Sequence, residues 1–449
     1  MSTHRELPLE NRGEAPSGQR SGEAPTAANG TGRSGTDHLM ERVVERRNVT
    51  AAWKRVKQNQ GSPGIDGMTV EELSPWLVEH WEAVRAQVLE GTYQPTPVRA
   101  QAIPKSGGGV RTLGIPTVLD RGIQQAGLPV RQPMMDPTFS EHSHGFRPGR
   151  NAHEAVCEAQ RYIQAGKRVV VDVDLEQFFD RVNHDVLMGR LEQRIGDTRL
   201  LGLIRRDLEA GIMANGVVIE REEGTPQGGP LSPLLANGLL DEGDKELEKR
   251  GLAFVRYADD CNVYVRSTRA GEEVMQTLRR LYARLRLRIN EAKSAVARPR
   301  DRPFLGDSFW DAQGGVVKRR VAPKALESLK ERVRHPTRRN RGRSLESIFV
   351  ELRSDLTGWK GYFQLTEAHG PLEGLDKWIR HRLRAVQLKQ WRRGTTVYRE
   401  LTARGVPPAP AAAAAAHCRR WWRTARHGAI QTALPNRYYD QRGIPRLAG

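Results

Sequence analysis

The stretch Phe254-Val255-Arg256-Tyr257-Ala258-Asp259-Asp260-Cys261-Asn262-Val263-Tyr264-Val265 decides the fold. Its two halves, Phe254–Tyr257 and Cys261–Val265, are rich in β-branched and aromatic residues and flank Asp259-Asp260, so they read as a hairpin with two acids at its tip. Adjacent carboxylates repel, and each favours protonation unless a cation offsets the repulsion. Hard cations such as Mg²⁺ take oxygen ligands, often one or two carboxylates together with substrate phosphates. Taken alone, the pair is more simply a turn built from Asp, with both acids in solvent.

It does not stand alone. Val169-Val170-Val171 is a β-branched run leading into Asp172 and Asp174, with Phe178-Phe179-Asp180 just beyond. If the two segments are neighbouring strands, Asp174, Asp259 and Asp260 converge on one point. Three carboxylates so placed can hold two metal ions ~3.5–4 Å apart, one activating an attacking oxygen and one stabilising the leaving oxygen. Asp172 shares that face only if the strand stays regular.

Further out, residues 98–116 read as a second hairpin around Lys105-Ser106-Gly107-Gly108-Gly109. Residues 70–90 and 185–212 carry helical spacing, Val217–Ile219 is a strand candidate, and 224–233 is rich in Gly and Pro. Short strands among long helices indicate an α+β domain. Beyond about 322 the pattern is almost wholly helical, interrupted near Pro336, Gly370 and Pro407, and Ala411–Ala416 reads as a local helix or a linker. Residues 1–38 hold few large apolar side chains and read as a disordered tail.

The charge is divided. Residues 318–449 carry 29 Lys and Arg against 10 Asp and Glu, whereas the first 317 hold 43 of each, so the formal net charge of +19 lies wholly in the last third. A basic block of this kind faces a polyanion, with an ordinary solvated surface as the alternative. Cys157, Cys261 and Cys418 are far apart and form neither a disulfide framework nor a zinc pair, which fits a reducing cytosol. No apolar run approaches the ~18 residues of a membrane span. No secretory pattern opens the sequence. The expected location is the bacterial cytosol or nucleoid, with no membrane partner.

The order of motifs resembles the reverse transcriptases (maturases) encoded by bacterial group II introns, from about residue 40 onward. It runs Ser62-Pro63-Gly64-Ile65-Asp66-Gly67; Ile103-Pro104-Lys105 through Arg111-Thr112-Leu113-Gly114-Ile115-Pro116; Phe139-Ser140-Glu141-His142 with Gly145-Phe146-Arg147-Pro148-Gly149-Arg150; then Asp172 to Asp180. It continues with Gly224-Thr225-Pro226-Gln227-Gly228-Gly229-Pro230-Leu231-Ser232-Pro233; Tyr257-Ala258-Asp259-Asp260; Asn290-Glu291-Ala292-Lys293-Ser294; and Phe304-Leu305-Gly306. The resemblance implies a right-hand polymerase, α+β in its fingers and palm (39–310) with an antiparallel palm sheet. An all-helical thumb or maturase domain (311–400) and a basic tail (401–449) would follow.

It further implies that Asp174, Asp259 and Asp260 are the catalytic, metal-holding set for two Mg²⁺ ions, with Mn²⁺ as a substitute. Phe179 falls where the family keeps a bulky side chain under the incoming sugar, which would exclude a 2′-hydroxyl; on spacing alone it reads equally as a core aromatic. Lys105 and Arg111 resemble the fingers residues on the triphosphate, Gln227 with Gly228 and Gly229 the segment under the templating base pair, Lys293 the lysine near the leaving pyrophosphate, and Phe304-Leu305-Gly306 the strand that grips the primer end. Arg147 and Arg150 are candidate template contacts.

Leu356 to Phe363 and Trp378 to Arg384 resemble the family's maturase domain. On a helix through 375–392, Leu375, Trp378, Ile379, Leu383 and Val386 share one face, and Lys377, Arg380, Arg384 and Trp391 share the other. A basic face with an aromatic member suits RNA. No paired-cysteine endonuclease pattern follows, as in the shorter group IIC class. His144, Gly243 and Asp307 depart from the family's usual residues.

The expected activity is RNA-directed DNA synthesis from a DNA primer 3′-OH with dNTPs on an RNA template, with binding of group II intron RNA to assist splicing and mobility. The alternatives are a domesticated transcriptase in host defence and a non-catalytic RNA-binding splicing cofactor.

Overall fold

A computed structural model describes residues 38–104, 109–214, 217–339 and 342–449. Lys105 and the expected disordered tail up to residue 37 lie outside the described residues. The strands are β1 (Val98–Pro104), β2 (Val110–Ile115), β3 (Val169–Val173), β4 (Ile212–Ala214), β5 (Val217–Ile219), β6 (Ala253–Tyr257), β7 (Asp260–Val265), β8 (Ala295–Ala297), β9 (Asp307–Asp311) and β10 (Val317–Val321). The chain divides into two compact units between Arg298 and Pro299, ahead of the expected boundary at 310.

In the first unit, one sheet runs β2-β1-β4-β5 and a second runs β6-β7-β3-β8. The second sheet is antiparallel throughout, with β3 at its centre: Val173 faces Cys261 of β7, and Val171 faces Val296 of β8. β6 is buried at every position, and so is all of β7 beyond Asp260. That burial explains why these strands read as continuous apolar runs instead of alternating ones. The long helix Ser232–Lys249 packs behind the sheet beside the helix Thr268–Arg284. Gly243 sits at their contact: a Cβ there would lie 3.3 Å from a methyl of Leu281. Its departure from the family's apolar habit thus serves close helix packing. Side-chain caps set helix starts, as when Thr117 Oγ1 accepts from the Asp120 amide at the head of the helix Val118–Met135.

The second unit opens with the hairpin β9–β10, so it is not purely helical. Its helices Pro323–Arg334, Leu345–Tyr362, His369–Trp391, Gly394–Thr402 and Pro408–Ala416 surround a core that includes Leu329, Phe349, Leu356, Ile379, Leu383 and Val397. Ala411, Ala414 and Ala415 are buried in the same core, so the alanine patch is a packed helix. Residues 401–449, expected as a basic tail, are folded into it through Leu401, Ile430, Leu434, Tyr439, Ile444 and Leu447. Asp307 does not interrupt its strand: β9 begins at it, and its backbone exchanges two 2.9 Å hydrogen bonds with Phe304. Burial pushes its carboxyl up to about 7, opposed by the Arg319 charge. Among the described residues no helix is long and apolar enough to cross a membrane.

Candidate active site and nucleic-acid interface

The hairpin turn between β6 and β7 is tight, with Tyr257 paired to Asp260. Ala258 at its corner has φ 56°, a left-handed conformation that costs a non-glycine residue roughly 1–2 kcal/mol. Asp174 follows β3 at the end of the register that pairs Val173 with Cys261, so it falls beside the same turn. Asp174, Asp259 and Asp260 line one cleft of about 1400 Å³, together with Arg111, Phe146, Phe179, Gln227, Gly228 and Lys293. Asp172 is outside that lining; its carboxylate accepts from the side-chain amide of Asn262 on β7 at 2.8 Å, in the orientation of that amide that satisfies both its ends.

Each member of the cleft is placed by local chemistry. The Asp174 amide donates to Ser294 Oγ at 3.0 Å, and its carboxylate accepts from Lys293 Nζ at 3.1 Å. Lys293 is thereby tied to the acid cluster, with its side chain two-thirds exposed at the cleft. Phe179 lies half-buried in the short turn Phe178–Asp180, edge-on to the buried Phe178 ring. Its carbonyl accepts from the Thr225 amide at 2.7 Å, which anchors the start of the glycine-rich loop. Gly228 has φ +124°, open only to glycine without strain, and a Cβ on Gly229 would come 2.8 Å from Gln124 Oε1. The Gln227 carbonyl accepts from the Gly114 amide at 3.1 Å, joining this loop to β2, which also carries the exposed Arg111.

The donor chemistry suits a hard divalent ion, since three carboxylates line one cleft. Among the described residues no three His, Cys, Asp or Glu side chains stand close enough to enclose an ion.

Arg147 and Arg150 do not offer free guanidinium groups for a template. Arg147 is buried; it donates to Asp136 Oδ1 at 2.9 Å and to the Ser143 carbonyl at 2.9 Å. Arg150 pairs with Glu141. His144, unusual for the family, is buried and pairs through Nε2 with Glu158 at 2.8 Å, while His142 Nδ1 meets the other Glu158 oxygen at 2.6 Å. Burial opposes the Glu158 charge, but His142, His144 and Tyr162 overcome it and hold the carboxyl well below its usual range.

The face assignment on the helix His369–Trp391 is also corrected. Only Lys377 of the expected basic set is exposed. Arg380 is 1% exposed and pairs with Asp376 at 3.0 Å and Asp440 at 2.8 Å. Arg384 Nε donates to the Leu434 carbonyl at 2.9 Å, and its Nη2 to Asn436 Oδ1 at 3.1 Å. Trp391 is buried beneath the Arg404 guanidinium, 5.2 Å from its ring centre. The C-terminal segment thus covers that face.

A different set of cations, half-buried but for the exposed Arg339, gathers on the second unit; Arg334 among them also pairs with Glu331. Trp378 has Arg382 at 5.2 Å and Arg334 at 5.7 Å from its ring, and Trp421 has Arg339 and Lys389 each at 5.7 Å. Burial and the neighbouring charges of Arg334 and Arg339 push the Arg382 guanidinium down. Cations crowded around partly buried indoles are an arrangement a polyanion would relieve.

A palm hairpin bearing paired acids, with a third acid on the adjoining strand and a glycine-rich loop across the cleft, is the frame of a nucleic-acid polymerase. Residues 103–309 match the family "Reverse transcriptase (RNA-dependent DNA polymerase)", and residues 326–405 match "Group II intron, maturase-specific domain". The chain belongs to the group II intron-type reverse transcriptases, RNA-directed DNA polymerases that as a family use divalent metals.

Protein YkfC of Escherichia coli (strain K12) is 33% identical over 287 residues, covering 55% of this chain and 74% of its own. The group II intron-encoded protein LtrA of Lactococcus lactis subsp. cremoris is 33% identical over 246 residues, covering 55% of this chain and 40% of its own. A chain of a solved Cas6-RT-Cas1–Cas2 complex aligns at 27% identity with TM-score 0.36, covering 55% of this chain and 26% of that one.

The sequence reading missed the cation–indole cluster and the buried Arg256, Asn237 and Asp244. Arg256 did carry a signal, as a lone charge within an otherwise apolar strand.

Proposed function

We propose that the chain extends a DNA primer 3′-OH with dNTPs on an RNA template, and that its second unit binds group II intron RNA to assist splicing and mobility. The supporting observation is the single cleft lined by Asp174, Asp259 and Asp260 together with Arg111, Phe179, Gln227 and Lys293. The three aspartates are the residues that would hold Mg²⁺, which when bound supplies charge stabilisation to the attacking and leaving oxygens. Arg111 and Lys293 bring positive charge to the incoming triphosphate, and Lys105, six positions before Arg111 in the sequence, is proposed to join them. The glycine-rich loop presents bare backbone beneath the templating pair. The scaffold reading has no such use for three carboxylates on one cleft. The proposed setting is the bacterial cytosol.

Primer extension on an RNA template tests the polymerase half, and absence of cDNA from folded wild type would reject it. Phe179 supplies a sharper test. Its ring stands at the cleft wall, where it would collide with a ribose 2′-hydroxyl. Phe179→Ala should raise NTP incorporation relative to dNTP by roughly 10- to 200-fold, the range that one steric contact of 1–3 kcal/mol commands. Unchanged sugar selectivity would remove Phe179 from this role.

The RNA-binding half rests on the cations around Trp378 and Trp421. Replacing Arg334, Arg339 and Lys389 together by Gln should flatten the slope of log affinity against log salt by roughly two to three, at about 0.7–0.9 per lost phosphate contact. Filter binding across a salt series reads this directly. A wild-type slope in the triple variant would place the RNA elsewhere.

A further inference from the structure

The turn that carries Asp259 and Asp260 is held from behind by a buried group outside the lining of the cleft. Arg256, on β6, is 1% exposed and faces two residues of the helix Ser232–Lys249, Asn237 and Asp244, each also 1% exposed. They are seven residues apart, two helical turns, and so stand on one face. The guanidinium grips Asp244 through Nε at 2.8 Å to one oxygen and through Nη2 at 2.5 Å to the other. Its remaining nitrogen, Nη1, donates to Asn237 Oδ1 at 2.8 Å and to the Ala258 carbonyl at 2.9 Å. Ala258 is the left-handed corner of the turn, directly before Asp259.

A second strap reaches the same corner. The Arg256 amide donates to the His142 carbonyl, and the His144 amide to the Arg256 carbonyl, each at 2.9 Å. The chain then passes Gly145, whose carbonyl accepts from Asn237 Nδ2 at 2.9 Å. A Cβ on Gly145 would come 2.1 Å from the Ala258 nitrogen, so this backbone lies directly on the turn. Asn237 therefore joins both straps.

A strained corner keeps its conformation only where its surroundings over-determine it. A guanidinium with all three nitrogens engaged is suited to the task, because its rigid planar fork fixes its acceptors relative to one another, whereas an ammonium's donors rotate freely. We propose that Arg256, locked by Asp244 and Asn237, is a positioning residue that sets the place of Asp259 and Asp260 through the Ala258 carbonyl. This rests on the polymerase reading of those acids.

The test is Arg256→Lys in the full chain. It keeps the charge opposite Asp244 but loses the fork that joins Asp244, Asn237 and Ala258. Displacement of reacting groups by about 1 Å costs on the order of 100-fold, so kcat for primer extension should fall roughly 10- to 100-fold, while KM for dNTP stays within about threefold. Arg131→Lys is the comparison: this other fully buried arginine, on the helix Val118–Met135, feels the charge of Asp207 on the helix Thr198–Glu209. It should lower the thermal midpoint at least as much and leave kcat within about twofold.

Amide hydrogen exchange across 257–261 reads the turn without any catalysis, and it should quicken at least about tenfold in Arg256→Lys alone. Unchanged exchange, or a kcat loss that merely follows the midpoint as in Arg131→Lys, would overturn the proposal. Quickened exchange in a protein whose wild type makes no cDNA would support the brace and sink the polymerase reading instead. Should Arg256→Lys fail to fold, Asn237→Ala leaves the Asp244 pair in place. A fall in kcat of about 3- to 10-fold with quickened exchange then supports the assignment, and wild-type values overturn it.

Discussion

Asp259→Asn should abolish cDNA synthesis, by at least about 10³-fold, or about 4 kcal/mol of transition-state stabilisation at about 1.36 kcal/mol per tenfold. The substitution is nearly isosteric. The turn is set by the pairing of Tyr257 with Asp260, by the left-handed Ala258 and by the buried Arg256 behind it, none of which uses the Asp259 carboxylate. What changes is the charge: a neutral amide is a far weaker ligand for a hard cation than a carboxylate. The loss should therefore fall on kcat, with template affinity and thermal midpoint close to wild type. Primer extension beside RNA filter binding separates the two. Near-wild-type synthesis by the variant would exclude Asp259 from the metal-holding set.

The second large effect is expected from Arg380→Met, and it is one of stability. Breaking a fully buried ion pair by removing one partner costs about 3–5 kcal/mol. Asp376 and Asp440 are partly exposed, at 14% and 29%, so water offsets part of that loss and about 2–4 kcal/mol is expected here. Asp376 also accepts from the Leu447 and Ala448 amides at 3.0 and 3.1 Å, so one arginine holds together the group that fastens residues 440–448 to the helix His369–Trp391. Urea unfolding of the full chain should show the second unit's transition at lower denaturant with the first unit's unchanged. Early proteolysis within 434–449 should accompany it. An unmoved transition together with weakened RNA binding would return Arg380 to the exposed face that helical periodicity gave it.

That correction shows where sequence reading stops. The acid-tipped hairpin and the strand before Asp174 were legible, because β-branched runs ending in carboxylates have few structural meanings and their order repeated a family pattern. The helix through 375–392 was legible as a helix but not in its facing. A single-helix projection assigns Arg and Trp to solvent, and it cannot see that residues some fifty positions later return to cover them with Leu434, Asn436 and Asp440 as partners. Arg147 was misread for a related reason, since its acceptors are carbonyls and an acid brought together by a loop. His144 and Gly243 looked like departures until Glu158 and Leu281 were seen opposite them. In each case the deciding contact is distant in sequence or made by backbone, where periodicity carries no signal.

The central place of β3 in the palm sheet has a consequence for synthesis on the ribosome. Asp174 reaches its final surroundings only once β7 pairs on one side and β8, ending at Ala297, on the other. Lys293 and Ser294, which hold Asp174, are translated just ahead of β8. The cleft is thus a late product of its own unit, yet it is fully encoded before residues 299–449 of the second unit. At about 5–20 residues per second, those residues take roughly ten to thirty seconds more. During that time the nascent palm is fully encoded, while the basic second unit is still being made.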